Sequence, residues 1–189
     1  MKKILFFLSI CIGFAAQAQQ LKTNFYATGA KESEGILLCS DPRVLDKNFD
    51  TFGKEEQERI LASTIKEGEW KYWFESGKLR TIETYKNGIK TGFSKTYYEN
   101  GNLESELYYN GATSTTYYEN GTKQSEGKFS DVDIPDGEWK GWHENGNLNY
   151  ISNYVNGVNQ GYTKWFDASG KLYFEQQFTD GKIIKETKF

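Results

Sequence analysis

The sequence predicts an all-β chain: an elongated antiparallel meander of successive β-hairpin repeats, with one short helix in an insertion. Three observations predict it. Beyond residue 18 the chain carries 28 Trp, Tyr and Phe against only 23 Ile, Leu and Val, whereas helical bundles and doubly wound α/β domains are built mainly on aliphatics. Its 19 Gly and only 2 Pro suit strands joined by tight turns. Above all, the chain repeats itself. Glycines ending an aromatic-x-x-Gly unit stand at 29, 77, 101, 121, 146 and 170.

The first element is the N-terminal stretch MKKILFFLSICIGFAAQAQQ. Two lysines, an apolar run from Ile4 to Ala16, and Ala16-Gln17-Ala18 form the pattern that a signal peptidase cleaves. Residues 1–18 are therefore expected to be a signal peptide cut after Ala18, with the remainder exported to the periplasm or secreted. The apolar run is shorter than the roughly 20 residues that a bilayer demands. Removing Lys2 and Lys3 takes the formal charge from −3 to −5, and the remaining lysines are scattered among glutamates. Nucleic acid needs a basic face, so it is not an expected partner. Cleavage also leaves Cys39 without a second cysteine, so it is either a buried thiol, its simpler state, or an intermolecular link.

The repeat begins with a partial unit at 19–37, is interrupted at 38–67, and runs from 68 to 189. Four positions before each turn glycine stand Phe25, Trp73, Tyr97, Tyr117, Trp142 and Phe166. Three before stand Tyr26, Phe74, Tyr98, Tyr118, His143 and Asp167. Eight after come Leu37, Tyr85, Tyr109, Phe129, Tyr154 and Phe178. Nine before come Gly68, Gly92, Gly137 and Gly161. The segments ESGK, ENGN and ENGT mark one turn, read as Asn-Gly with both residues at positive φ; KNG, YNG, VNG and TDG mark a second about eleven residues on. Two strands per unit with short links make a meander.

A loop running from two before the glycine to one after it pairs Lys95 with Glu106 and Lys164 with Glu175. The same register sets Tyr109 over Gly92 and Tyr85 over Gly68, covering bare backbone. The unit at Gly121 is about three residues short, which implies a tight link and an irregular ladder. KWFDASG shifts its aromatics one position earlier, which implies a turn one residue longer. Within the insertion, GKEEQERILAST has helical composition with Ile60 and Leu61 as anchors, and SDVDIPDG at 130–137 reads as a smaller insertion of turn composition.

Chemistry is sparse. His143 is the only histidine and stands in a ring column, so it reads as a replaced ring rather than a general base. One His and one Cys make no His/Cys zinc site, and no Gly-x-Ser-x-Gly, P-loop or dinucleotide-binding glycine pattern occurs. No cofactor is expected. Glu34, Glu106, Glu126 and Glu175 read as a charged column facing lysines rather than as the acid and base of a hydrolase. The surface residues expected to bind are Trp73, Tyr97, Tyr117, Trp142, Phe166, Tyr98, Tyr118 and His143, because a single-layer sheet leaves one face partly open.

GEWKYWFESGKLRTIETYKNG, GFSKTYYENGNLESELYYNG and GEWKGWHENGNLNYISNYVNG resemble the bacterial variant of the MORN (membrane occupation and recognition nexus) repeat. The resemblance spans 68–189 and, partially, 24–37. It implies an elongated sheet of hairpins, and either a scaffold, an antitoxin-like partner of a toxin, or a protein that touches lipid. The expected function is a non-enzymatic exported scaffold that binds another protein. Envelope glycan or lipid head-group binding through the aromatic face is the alternative, an antitoxin or immunity-like role the third, and homodimerisation through an edge strand a further expectation.

Overall fold

The computed structural model describes residues 18–46, 48–131 and 134–189. The expected signal peptide up to residue 17, and Val132 and Asp133 of the SDVDIPDG segment, lie outside the described residues. The chain forms two compact units, one ending at Gly92 and one beginning at Phe93. Fourteen strands are described, each antiparallel to its neighbour in a meander.

The first unit holds β1 (Ala18–Phe25), β2 (Lys31–Cys39), β3 (Thr64–Trp73) and β4 (Leu79–Lys86). Between β2 and β3 lie two short 3-10 turns and α1 (Lys54–Ala62), so the irregular segment is narrower than 38–67. Its core is Cys39, Phe49 and Ile60, with Phe52 and Leu61 packed on it. Ile60 is fully buried and is the main anchor of α1. Cys39 is a buried free thiol, its Sγ 3.1 Å from the Asp41 carbonyl oxygen. Asp41 opens the first 3-10 turn by accepting from the Arg43 backbone N–H, and hydrogen bonds from Arg43 hold its carboxyl down at about 2.

The second unit continues β5 (Ile89–Tyr97), which carries the unit boundary, with β6 (Leu103–Tyr108), β7 (Thr113–Tyr117), β8 (Lys123–Asp131), β9 (Ile134–Trp142) and β10 (Leu148–Val155). Then come the two-residue β11 (Val158–Asn159), β12 (Gly161–Phe166), β13 (Leu172–Thr179) and β14 (Lys182–Lys188). β8 and β9 extend into SDVDIPDG, so little of that segment is loop.

The register is the one the charges imply: Lys95 faces Glu106 and Lys164 faces Glu175, with ion pairs at 2.9 and 3.6 Å. The turn that sets it differs from the expectation. In the ENG turns only glycine has positive φ: Gly101 sits at +95° and no asparagine of these turns is left-handed. Gly101 N–H donates to the Tyr98 carbonyl and Tyr98 N–H to the Asn102 carbonyl, a three-residue loop whose last residue is a left-handed glycine. The Asn100 side chain accepts from Asn102 N–H at 2.8 Å. One further residue, three after the glycine, is bulged out of every such hairpin, among them Arg80, Glu104 and Gln124, and this restores the charge-paired register. The Gly170 turn has the same three residues, not four. Asp167 there replaces the ring, and its carboxylate accepts from Ser169 and Lys171 N–H.

Left-handed Asn-Gly and Asp-Gly pairs do occur, in the second kind of turn. Asn87-Gly88, Asn156-Gly157 and Asp180-Gly181 all have both residues at positive φ. Their amides reach back across a strand: Gly157 N–H donates to the Pro135 carbonyl and Asn156 N–H to the Asp136 carboxylate.

Two glycine expectations are overturned. Gly68 does face Tyr85 in register, but nothing lies within 4 Å of where its Cβ would be, and Gly92 has only Thr84 at 3.9 Å. These glycines, at φ +66° and +62°, serve backbone geometry instead. In β3 the residues Gly68 to Trp70 oppose the single Gly35, and in β9 Gly137 to Trp139 oppose the single Gly127. Each bulge tips its indole onto the facing glycine. Finally, the short unit has a regular ladder: β6 and β7 pair from Ser105↔Thr116 to Tyr108↔Thr113 without a shift, because the shortened link leaves no residues for a bulge.

Candidate interaction face

Direct cross-strand pairs define two faces. In the second unit one row runs Lys95, Glu106, Thr115, Glu126, Lys140, Ile151, Lys164 and Glu175. The adjacent row on the opposite face runs Thr96, Ser105, Thr116, Ser125, Gly141, Tyr150, Trp165 and Phe174. The first is a charged face. The second gathers hydroxyls at one end and rings at the other.

The ring face is where burial concentrates. The Trp139 indole lies on Gly127 and Tyr150 on Gly141, so close that an added Cβ would come within 2.1 Å of either ring. Trp165 stacks on Phe174 at 5.2 Å, and the buried hydroxyls of Ser152 and Thr163 meet at 2.7 Å. In the first unit, described by itself, one face holds Trp70 and Tyr85, both buried. The Lys66 ammonium sits among Trp70, Tyr72 and Tyr85, 4.6 to 5.1 Å from each ring centroid. Tyr85 donates to Glu83 at 2.6 Å and Lys90 pairs with Glu83 at 2.5 Å. Burial raises the Glu83 pKa, but the hydrogen bonds from Lys90 and Tyr85 outweigh it and hold the carboxyl below its usual range. Burial and the Glu83 charge push the Tyr85 hydroxyl far up. The column pattern gives no sign of this cluster, because Lys66 precedes the repeat columns.

The eight residues expected at the surface divide between the faces, and all are half-buried. Tyr97, Tyr117, Trp142 and Phe166 share the charged face of the second unit by strand alternation with Lys95, Thr115, Lys140 and Lys164. Trp73 holds the same position beside Lys71 in the first unit. Lys31 lies 4.9 Å from the Trp73 ring centroid and Lys123 lies 5.1 Å from that of Trp142. Tyr98, Tyr118 and His143 turn to the other face and are engaged there. Tyr98 donates to the Tyr117 carbonyl at 2.7 Å, Tyr118 to the Trp142 carbonyl at 2.8 Å, and His143 Nε2 lies 2.8 Å from the Phe166 carbonyl. Tyr26 does the same to the Trp73 carbonyl at 2.7 Å in the first unit. The histidine thus substitutes for a tyrosine hydroxyl. Asparagine side chains repeat the stitch at the turns, as Asn102 and Asn147 donate to the carbonyls of Glu119 and Ala168.

Two residues outside the expected set complete the charged face. Phe93 is 49% exposed and stacks on Tyr108 at 4.5 Å, and Tyr162 is 44% exposed. Both are two residues before a lysine of the charged row, and that alternation was the available signal. A shallow groove beside Tyr162 is lined by Glu138, Ile151, Asn153, Gln160 and Lys164.

Among the described residues, no helix is long and apolar enough to cross a membrane. No curated protein matches the chain. The family model for the MORN repeat variant matches five segments, residues 66–87, 90–110, 112–131, 135–156 and 159–180. The hairpin of β1 and β2 lies outside them but shares their turn, with Gly29 left-handed and one residue bulged at Glu32. With more than half of its residues in matched repeats whose hairpins obey one geometry, the chain belongs to the MORN repeat variant family.

Proposed function

We propose that this chain is an exported, non-enzymatic scaffold that presents the charged, ring-bearing face of its second unit to another protein. MORN repeats are interaction modules rather than enzymes, and the N-terminal sequence has the form of an export signal. One observation carries the reading: Phe93 and Tyr162 stand nearly half-exposed on the face that also holds Tyr97, Tyr117, Trp142 and Phe166 among the lysines and glutamates of the charged row. Aromatic side chains framed by charge are the composition of binding surfaces. Tyr98 and Tyr118, by contrast, are spent on hydrogen bonds to carbonyls of the next hairpin.

A photo-crosslinking residue at position 93 or 162 tests this in the envelope of the producing cell. One protein captured in stoichiometric yield from both positions supports the scaffold. Capture of lipid alone, or none, refutes it. An immunity-like role, in which the captured protein is a toxin, would appear in the same experiment.

The groove at Tyr162 favours glycan as a second reading, since one exposed ring flanked by Asn153, Gln160, Glu138 and Lys164 combines a stacking platform with amide and charged hydrogen-bonding groups. Polysaccharide binding lost on Tyr162→Ala supports it, and binding unchanged in that variant excludes it.

A further inference from the structure

The charged row of the second unit reads the same from either end once the sign of each charge is reversed. In strand order from β5 to β13 it runs Lys95, Glu106, Thr115, Glu126, Lys140, Ile151, Lys164, Glu175. Counted inward from the two ends, Lys95 matches Glu175, Glu106 matches Lys164 and Glu126 matches Lys140, while the uncharged Thr115 and Ile151 match each other. Such a row is complementary to itself under one two-fold operation. Two copies laid face to face about an axis parallel to the strands set the strand order of one against the reversed order of the other, so all six charges meet opposite charges. An axis across the strands would instead put each charge on its own equivalent, Lys95 on Lys95 and Glu106 on Glu106. The charges therefore select the axis, and it leaves the strands of the two sheets aligned, as face-to-face sheets pack.

Each of the six already has a neighbour in its own chain, such as Lys95 with Glu106 at 2.9 Å and Lys140 with Glu138 at 2.6 Å. Their side chains remain 20–44% exposed, so a facing copy adds a second opposite charge to each and extends the pairs into a checkerboard. The flanking rows obey the same operation. On the side of the ENG turns it sets Tyr117 against Leu148 and Lys123 against Trp142; on the other side it sets Lys128 against Glu138 and Tyr108 against Tyr162. Because Tyr108 stacks on Phe93 at 4.5 Å, the exposed Phe93 and Tyr162 enter one ring cluster. Eight strands about 4.8 Å apart, taken over two residues either side of the charged row, make about 600 Å² per copy, or about 1,200 Å² for the pair, the lower end of stable interfaces. We propose that the charged face of the second unit binds a second copy of this chain, face to face about a two-fold axis parallel to its strands. This rests on the reading of that face as a protein-binding surface and names its occupant.

Sedimentation velocity of the purified exported chain tests it. Wild type is expected to show a monomer–dimer equilibrium whose Kd rises about tenfold or more from low to high salt. Lys95→Glu and Glu175→Lys each place like charges opposite one another in a homodimer, so each variant alone should sediment as a monomer. Mixed in equal amounts the two should associate, because their substituted positions then face each other with opposite charge while Glu175 of one chain meets Lys95 of the other. Repulsion between strand neighbours inside each chain is the same in the mixture as in its parts, so contact between copies alone explains the gain. In the wild-type background, a photo-crosslinker at position 162 should attach to Tyr108 of the other copy. A wild type that stays monomeric at every concentration, a mixture that associates no more than its parts, or a crosslink from position 162 to β14 overturns the proposal. A monomer that still captures a different protein from positions 93 and 162 in the envelope overturns it and leaves the scaffold reading standing. A face-to-face dimer that captures no different protein there upholds it and removes the partner that the scaffold reading requires.

Discussion

The Tyr118 hydroxyl donates to the carbonyl oxygen of Trp142, 24 residues further along the chain, at 2.8 Å. Strand pairing already satisfies neighbours, but this bond ties one turn to the next hairpin's turn. Tyr118→Phe keeps the ring and removes the donor, so it is expected to cost about 0.5–1.5 kcal/mol. Tyr98→Phe should cost a similar amount, and His143→Phe too, whereas His143→Tyr should be tolerated. Urea denaturation of the four variants measures this. An unchanged midpoint in Tyr118→Phe would show that water replaces the bond without loss.

Gly35 and Gly127 accept the indoles of Trp70 and Trp139 on bare backbone, and an added Cβ would stand 2.3 and 2.1 Å from ring atoms. Gly35→Ala and Gly127→Ala are therefore expected to destabilise by about 1–3 kcal/mol through overpacking. Gly53→Ser is the control. Nothing lies within 4 Å of that Cβ, and serine is at least as good as glycine before α1. Thermal unfolding that ranks Gly53→Ser with the other two would contradict the contact.

These indoles show what a one-dimensional reading could and could not see. The spacing of glycines and the matched Lys and Glu were enough for the hairpins and their register, because a two-residue period leaves no other way to oppose Lys95 and Glu106. The bulge at Arg80, Glu104 and Gln124 was hidden, since any polar residue can occupy it. Tyr98 and Tyr118 read as rings for a surface because their function depends on the hydroxyl reaching a carbonyl in the next hairpin, a distance that only the fold sets. Lys66 lay ahead of every column, so its enclosure by three rings left no trace in the pattern.

Glu83 is ionised in a mostly covered site, 13% exposed, where Lys90 and Tyr85 hold it. Its folded pKa lies below the usual value despite the opposing effect of burial. A depressed carboxylate stabilises the fold at pH above its unfolded pKa, and that stabilisation disappears as pH falls through the folded value. Wild type should therefore lose stability more steeply than Glu83→Gln between roughly pH 5 and pH 3, the gap between the two closing there. At pH 7 the variant should be less stable by about 1–3 kcal/mol. Parallel pH curves would remove Glu83 from the account.

Ala112 adopts φ +45° at the shortened link, the one left-handed non-glycine among these turns that is neither Asn nor Asp. An L-residue pays about 1–2 kcal/mol for that conformation, while glycine there costs about 0.4–1 kcal/mol more entropy in the unfolded chain. Ala112→Gly should therefore stabilise, by about 0.5–1 kcal/mol on balance. Ala112→Asn should do so with less entropic offset, as Asn87 and Asn156 occupy equivalent turns at +51° and +49°. The backbone carbonyl of Ala112 accepts from Phe129 N–H at 2.7 Å and is unaffected by either change. A raised denaturation midpoint in both variants locates the strain in the link. A lowered one would mean that the alanine methyl, which lines a cavity beside Leu107, contributes more in packing than its backbone loses in strain.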